Sequence, residues 1–242
     1  MMKSWLKADW PAADFIKAGT TLRQGGVSEA PYASFNLATH VGDKFTAVKQ
    51  NRMMLNVPDS PQWLQQTHST KAVLLPNDEV TPEADAAYTS EKNIVCAVMT
   101  ADCLPLLITN EQGSCVAAIH AGWRGLCDGI IEATIKKLAT DPESLLVWLG
   151  PAIGPDVYEV GKEVYDAFTK DNHLAKQAFT SVSEQHWLFD IYLAAKLRLN
   201  IAGIKQIYGG DHCTLTEKEK FFSYRRDKVT GRMASMIWIE AD

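Results

Sequence analysis

The chain has 242 residues, of which 46% are hydrophobic and 22% are charged, and its formal net charge is −5. A chain of this length can bury a large core, and the composition is ordinary for a globular protein, so we expect one domain over residues 1–242. It has no basic stripe, no apolar run approaching about 18 residues and no secretory signal. Its five cysteines are irregularly spaced, which argues against a disulfide framework. We therefore expect a cytoplasmic protein without nucleic-acid or membrane partners.

The first part of the chain predicts a short strand, a glycine-rich turn and a helix. Residues 15–21 fit a strand, and residues 44–55 have helical periodicity. Between them lies RQGGVS, residues 23–28, whose paired glycines allow a ligand to approach the backbone closely. Arg23 at the edge of this turn could hold a phosphate or carboxylate through two hydrogen bonds. The same glycines are also compatible with a simple turn.

The next segment contains a histidine whose role depends on the fold. Alternating residues over 63–73 predict a strand that ends near His68. Residues 83–87, EADAA, are predicted as a polar connection into a central sheet. In isolation, the position of His68 does not indicate a function.

The most informative stretch is IVCAVMTADCLPLLITNEQGSCVAAIHAGWRG, residues 94–125. Its three short apolar runs, each bounded by turn residues, predict buried strands. The glycine-containing turn after the second run predicts a hairpin in which Asn110 faces Gly113 or Ser114. The three predicted strands are residues 94–99, 104–109 and 115–119.

This hairpin would bring a thiol and an imidazole together at its open end. The pairing places Cys103 opposite His120 or Ala121, and directly opposed residues have Cβ atoms about 4.5–5.5 Å apart. That separation suits a shared metal ion. The alternative is that the cysteine is a small core residue and the histidine is structural. Asp102 and the GWRG sequence at residues 122–125 favour a site, because polar residues and glycines crowd both ends of an apolar sheet.

An amphipathic helix is predicted over residues 126–138, directly after the hairpin. Its N-terminus and Arg124 form a candidate anion site, although the neighbouring glycines are equally compatible with a turn. A second metal site at His212 and Cys213 is disfavoured, because adjacent residues on a strand point to opposite faces. The remaining predicted elements are a strand at 145–149, helices at 160–168 and 188–200, a strand at 204–208, an arginine-bearing loop at 222–227 and a strand at 232–239.

Motifs spread over nearly the whole chain are shared with a known family. They are LRQGGVSEAPYASFNLATHVGD, the histidine in QQTHS, ADAAYTS, CAVMTADCLPLL, AAIHAGWRGL, WLGPAIGP and FFSYRRDKVTGRMAS. Together they resemble the YfiH family, whose members are described as purine nucleoside phosphorylases, multicopper polyphenol oxidases (laccases) or peptidoglycan editing factors. The departures from the family pattern are small: Leu22 where threonine or serine is common, and Ser69 where glycine is common. The resemblance implies an α/β (α+β) fold, a single layered domain of mixed β-sheets with helices packed outside.

The resemblance also implies a metal centre and an activity. The metal is usually zinc, held by His68, Cys103 and His120, and Cu²⁺ could occupy the same ligands. The implied reaction is phosphorolysis of adenosine, inosine and S-methyl-5'-thioadenosine, with adenosine deamination as a second activity. The catalytic residues that we expect are Cys103, Asp102 as a proton shuttle, and Arg23. Phosphate is expected at Arg23, Arg124 and Arg225.

Three alternatives remain open at this stage. An editing hydrolase would remove a wrong amino acid from a nucleotide-linked peptidoglycan precursor. Either Cys103 would be a nucleophile activated by His120, or the zinc would supply a hydroxide. A laccase would need a multi-histidine cluster, whereas the six histidines of this chain are scattered. A non-catalytic interaction protein would leave the polar residues at the sheet end unexplained. For the enzymes, we expect a monomer whose partners are a nucleoside or nucleotide-sugar substrate and phosphate.

Overall fold

The computed structural model describes residues 5–170 and 173–241, which form three β-sheets and several helices. The first sheet has four antiparallel strands, and its C-terminal strand lies between two strands from earlier in the chain. Its strands, in spatial order, are β1 (Trp5–Lys7), β2 (Ile16–Thr21), β13 (Met233–Ile239) and β5 (Cys96–Thr100).

The second sheet has six strands and is built around the predicted hairpin. Its strands, in spatial order, are β12 (Gln206–Gly209), β8 (Leu145–Leu149), β6 (Leu104–Asn110), β7 (Val116–Ala121), β4 (Ala86–Thr89) and β3 (Ala72–Leu74). β12 is parallel to β8 and β3 is parallel to β4, whereas the central pairs are antiparallel. The strands β6, β7 and β8 are buried along their whole length, which explains their continuous apolar sequences.

The six-stranded sheet packs against a helical layer on one face and against the four-stranded sheet on the other. Successive residues of β6 point to opposite faces. Leu106 and Ile108 belong to a core cluster with the helix residues Ile131 and Leu199. Leu107 belongs instead to a cluster with residues of the four-stranded sheet such as Ile237. The mixed α/β, layered arrangement expected from the sequence is confirmed.

The helices differ from the predicted ones mainly at their ends. The α-helices are α1 (Phe45–Met53), α2 (Trp123–Asp128), α3 (Ile130–Leu138), α4 (Lys162–Thr169), α5 (Ile191–Ile201) and α6 (Tyr224–Asp227). The single helix predicted over residues 126–138 is two helices, because Gly129 has a left-handed φ of 103°. The loop predicted over 222–227 contains α6. Within the described ranges, no helix combines the length and apolar character required to cross a membrane.

A third sheet was not predicted. It consists of β10 (Phe179–Ser183), β11 (His186–Phe189) and β9 (Glu159–Gly161). Two of these strands occupy the positions at which helices α4 and α5 were expected to start. Apolar runs that lead directly from a strand into a helix cannot be divided by periodicity alone.

The hairpin is confirmed, but its predicted register is wrong. The last strand pair before the turn is Thr109 with Val116, so the loop is longer than expected. Asn110 stabilises this loop, because its side-chain oxygen accepts a hydrogen bond from the backbone N–H of Ser114. His120 consequently lies opposite Pro105 and not opposite Cys103.

Candidate metal centre

Three side chains with metal-binding atoms meet beyond the open end of the hairpin. The donor atoms of His68, Cys103 and His120 all lie within 4.8 Å of one another. Sγ of Cys103 is 3.8 Å from Nε2 of His68. The two imidazole rings meet edge to face, with centroids 4.8 Å apart. Although the predicted strand register is wrong, the predicted group of three residues does come together.

His68 reaches the group from a loop and not from a strand. The predicted strand over residues 63–73 is absent from the described fold, apart from a single bridge at Gln65 and the short β3. Gln66 fixes the loop to the edge of β5, because its side chain donates to the carbonyl of Met99 and accepts from its N–H, both at 2.8 Å. His68 itself has a left-handed φ of 62°, which turns the chain at this point.

A buried carboxylate supports two of the three side chains. Asp85 is fully buried, and its Oδ1 lies 2.7 Å from Nδ1 of His120. The same carboxylate accepts backbone N–H groups of Thr67, His68 and Ser69, as well as the hydroxyl of Ser69. A carboxylate that binds Nδ1 of a histidine orients the ring and leaves Nε2 free for a metal ion. Asp85 therefore positions the loop of His68 and the ring of His120 together.

The group is strongly polarised without a metal ion. Burial raises the pKa of the Cys103 thiol, but the charge and hydrogen bonds of His120 and His68 outweigh it and lower the pKa to about 6. Burial lowers the pKa of His120, but the Cys103 thiolate and the Asp85 carboxylate raise it to about 9. A thiolate is the form in which cysteine ligates a metal, whereas His120 must give up a proton before it can ligate one. The same polarisation is also characteristic of an activated cysteine.

The local backbone is shaped to keep space for the donor atoms. A Cβ atom on Gly122 would lie 3.0 Å from Nε2 of His68 and 3.1 Å from Sγ of Cys103. Glycine at this position therefore leaves room for the ligands. Two imidazole nitrogens and one thiolate are a donor set that zinc and copper both accept. The residues present therefore fit a metal ion.

The three donors line a cavity of about 310 Å³, which is large enough for a small molecule. His68 is exposed and Cys103 is partly exposed, so the group is accessible from this cavity. Several other polar residues line it that were not predicted from the sequence: His40, Gln66, Tyr224 and Arg232. Arg232 is the first residue of the strand predicted over 232–239. The family motif that ends in GRMAS contains it, and this is the one sequence signal that could have identified it.

The predicted proton shuttle Asp102 has a left-handed φ of 94° and lies one residue before Cys103. Its carboxylate accepts the hydroxyl of Thr214 at 2.7 Å and the backbone N–H of Arg225 at 2.6 Å. It is not among the residues that line the cavity. Asp102 thus joins the Cys103 loop to Thr214 and to helix α6 outside the cavity lining.

None of the three arginines predicted to bind phosphate lines the cavity. Arg23 donates to the carbonyls of Ala33 and Lys218 in a separate surface groove. The exposed Arg124 stacks on Trp123 and donates to Glu163. The exposed Arg225 donates to the carbonyl of Glu159.

The pair His212 and Cys213, which the sequence disfavours as a metal site, is separated by its contacts. Nδ1 of His212 lies 3.1 Å from the carboxylate of Glu217, whereas Sγ of Cys213 accepts the backbone N–H of Gly154. All five cysteines are unpaired thiols. The group of His68, Cys103 and His120 is the one set of three potential ligands found in residues 5–170 and 173–241.

Comparison with known proteins identifies relatives over the full length of the chain. A Haemophilus influenzae protein named purine nucleoside phosphorylase is 53% identical over 241 residues, which cover 97% of this chain and 99% of the relative. An Escherichia coli K12 protein named purine nucleoside phosphorylase YfiH is 48% identical over 243 residues, covering 98% of this chain and 100% of the relative. A crystal structure of a Neisseria meningitidis protein matches with a TM-score of 0.93 at 44% identity, covering 99% of this chain and 100% of that one.

The family itself is identified by a match to most of the chain. Residues 17–240 match the family described as multi-copper polyphenol oxidoreductase laccase. The relatives that carry the YfiH name match over the same region and beyond it. The chain is therefore a member of the YfiH family, to which the laccase description also applies.

Proposed function

We propose that this protein is a metal-dependent purine nucleoside phosphorylase. The observation that carries the proposal is the cavity of about 310 Å³ into which His68, Cys103 and His120 project together. The full-length relatives named purine nucleoside phosphorylase support the same reaction class. The proposed substrates are adenosine, inosine and S-methyl-5'-thioadenosine, and adenosine deamination is a second proposed activity. The enzyme would act in the cytoplasm as a monomer with a single domain.

Zinc is the metal that we propose, held by His68, Cys103 and His120. Zinc with three protein ligands keeps a fourth position open and lowers the pKa of a water bound there to about 7. Asp85 would keep Nδ1 of His120 protonated, so that Nε2 faces the ion. The proposed reaction breaks the bond between C1' of the ribose and the purine nitrogen, forms a bond from C1' to a phosphate oxygen, and leaves a proton on the purine. Asp102 is the proton shuttle expected from the sequence, but its carboxylate accepts from Thr214 and Arg225 outside the cavity, so we do not assign it that role.

We expect the zinc-loaded protein to release hypoxanthine and ribose 1-phosphate from inosine only when inorganic phosphate is present. The reason is that phosphorolysis consumes phosphate in stoichiometric amount, whereas hydrolysis does not. Chromatography of the released base, with and without phosphate, measures this dependence. Cleavage of equal rate in a phosphate-free buffer, or no cleavage with any of the three nucleosides, would refute the phosphorylase proposal.

Copper at the same three ligands is the alternative suggested by the laccase description of the family. Two histidines and a cysteine match the equatorial ligands of an electron-transfer copper site. A full laccase also needs further copper ligands for oxygen reduction. In the part of the chain that the structure describes, only one group of three potential ligands is found. We therefore propose zinc as the functional metal.

A hydrolase with Cys103 as its nucleophile is a second candidate function. Burial raises the pKa of the Cys103 thiol, but His120 and His68 outweigh burial and lower it to about 6. A thiolate beside an imidazole is an activated nucleophile. In this case the protein would remove a wrong amino acid from a peptidoglycan precursor through a thioester at Cys103. The two functions differ in the state of the thiolate, which is either bound to the metal or free to attack.

We expect iodoacetamide to label Cys103 slowly in the zinc-loaded protein and rapidly after chelation. A metal-bound thiolate has its charge committed to the ion, whereas the released thiol, with a pKa of about 6, is mostly ionised at pH 7. Mass spectrometry of the Cys103 peptide measures the two rates. Cys127 is the internal control, because burial raises the pKa of its thiol and it lies outside the ligand group. Rapid labelling that chelation does not change, together with a trapped thioester, would instead establish a hydrolase in which Cys103 is the nucleophile.

A further inference from the structure

The cavity that holds the three metal ligands contains one arginine, Arg232. It lies at the start of β13, and the register of that strand explains its position. Met233 pairs with Thr100, which ends β5 three residues before Cys103. The guanidinium of Arg232 is thereby brought to the same cavity as the thiol. No aspartate or glutamate is among the described residues that line this cavity.

The backbone of Arg232 is held by a buried asparagine from the N-terminal motif. Asn36 is fully buried, and its side-chain oxygen accepts the N–H groups of both Arg232 and Ala38 at 3.0 Å. A Cβ atom on Gly231 would lie 2.9 Å from Cβ of Asn36, so glycine permits this close approach. The family motif over residues 22–43, which contains Arg23, therefore fixes Arg232 through Asn36.

The guanidinium of Arg232 has unused hydrogen-bonding capacity. Nη1 donates to the carbonyls of Thr230 and Gly231, but Nε and Nη2 have no hydrogen-bond partner in residues 5–170 and 173–241. In these ranges, no carboxylate oxygen lies within 4.0 Å of the guanidinium nitrogens of Arg232, so it forms no salt bridge there. The centre of the Tyr224 ring lies 5.9 Å from Cζ of Arg232. Burial lowers the pKa of this guanidinium, and the nearby charges of Cys103, Asp102 and Tyr224 only partly oppose that shift. Arg232 is therefore a partly buried cation with free donors beside the metal ligands.

A second polar residue extends this part of the cavity. His40 also lines the cavity, and burial together with the charges of Arg232 and Arg52 lowers the pKa of its imidazole. A neutral imidazole can hydrogen-bond to the protonated oxygen of a phosphate. Arg52 itself is engaged elsewhere, because it donates to the carbonyl of Leu37 and stacks on Trp63.

We propose that Arg232 is the residue that binds inorganic phosphate in this cavity, through its free Nε and Nη2 groups and beside His40. This inference rests on the proposed function for the role of phosphate as a substrate. Nε and Nη2 of arginine match two oxygens of a phosphate. Arg23, Arg124 and Arg225 donate to protein groups outside the cavity.

The test compares Arg232→Gln with a variant that removes the same charge nearby. Lys228→Gln is the matched control, because Lys228 contacts the ring of Tyr224 at 5.7 Å but does not line the cavity. Thermal stabilisation by inorganic phosphate at constant ionic strength gives the Kd of each protein, and the zinc content of each protein is measured in parallel. We expect the Kd for phosphate to rise about tenfold or more in Arg232→Gln, as for the loss of a charged hydrogen-bond pair. Lys228→Gln should bind phosphate as the wild type does.

Arg232→Lys is a second variant, to be used if Arg232→Gln does not fold. Lysine keeps the positive charge but cannot donate two parallel hydrogen bonds to one phosphate. We expect this variant to retain zinc and to bind phosphate several-fold more weakly than the wild type. Unchanged phosphate affinity in folded Arg232→Gln or Arg232→Lys would overturn the inference. So would an equal loss in Lys228→Gln, or a wild type that phosphate does not stabilise. Phosphate binding that depends on Arg232 in a protein unable to cleave any of the three nucleosides would support this site while refuting the phosphorylase proposal.

Discussion

Replacing Cys103 by serine, or His120 by alanine, should remove the bound zinc while the fold persists. Each variant deletes one of three donor atoms that lie within 4.8 Å of one another, and a site of two protein ligands holds zinc far more weakly. We expect about one zinc per chain in the wild type and almost none in either variant. Elemental analysis measures the metal, and circular dichroism confirms the fold.

The matched control for the thiol is Cys127→Ser. Cys127 is also partly exposed, but its Sγ contacts the carbonyl of Ala167 and takes no part in the ligand group. This variant should keep its zinc. His120→Ala should also be less stable than Cys103→Ser, because it removes the imidazole that faces the buried Asp85 carboxylate. Wild-type zinc content in both ligand variants would show that the metal binds elsewhere.

Replacing Asp85 by asparagine should weaken both the metal site and the fold. The carboxylate accepts N–H groups from the loop of His68 and faces Nδ1 of His120, whereas an amide presents its own N–H₂ donors to some of these groups. We expect zinc affinity to fall about 10- to 100-fold, as for other residues that orient metal ligands. The free energy of unfolding should fall by about 3 kcal/mol or more, as for a broken buried ion pair. Zinc titration and urea unfolding measure the two effects.

The stability difference between the wild type and Asp85→Asn should depend on pH. Burial raises the pKa of Asp85, but hydrogen bonds from His120 and Ser69 lower it to about 2. A carboxylate with a lowered pKa stabilises the fold above its unfolded pKa of about 4, and the stabilisation is lost as the pH falls towards 2. Ser69→Ala is the control, because it removes one hydroxyl donor to this carboxylate and should cost only about 1 kcal/mol. Equal losses in Asp85→Asn and Ser69→Ala would contradict a central role for the carboxylate.

The sequence predicts the central strands of this fold because the features that mark them, apolar runs and the turn residues beside them, are local in the chain. The apolar runs that became β6, β7 and β8 are bounded by turn residues, so their positions agree with the structure within one or two residues. The hairpin register depends on how Asn110 bonds within its loop, and apolar periodicity carries no information about that bond. The association of Cys103 with His120 survives the error because both residues still lie at the same end of the hairpin.

The supporting residues could not be predicted because their roles depend on distant contacts. Asp85 lies in a segment that looks like a polar connection, and it becomes a ligand support only when β4 pairs with β7 beside His120. The residues around His68 alternate as a strand would, but they form a loop because Gln66 and Asp85 hold it in place by side-chain hydrogen bonds. Arg232 similarly enters the cavity only through the pairing of β13 with β5.

The position of β13 has a consequence for the synthesis of the protein. This strand lies between β2 and β5, so these two early strands have no direct pairing with each other. While the chain is still on the ribosome, β5 lacks its partner, and the end of β5 forms a wall of the cavity through Met99 and Thr100. The nascent protein therefore cannot complete this cavity until β13 has emerged. A chain that terminates before residue 233 would leave the edges of β2 and β5 unpaired and open to association with other chains.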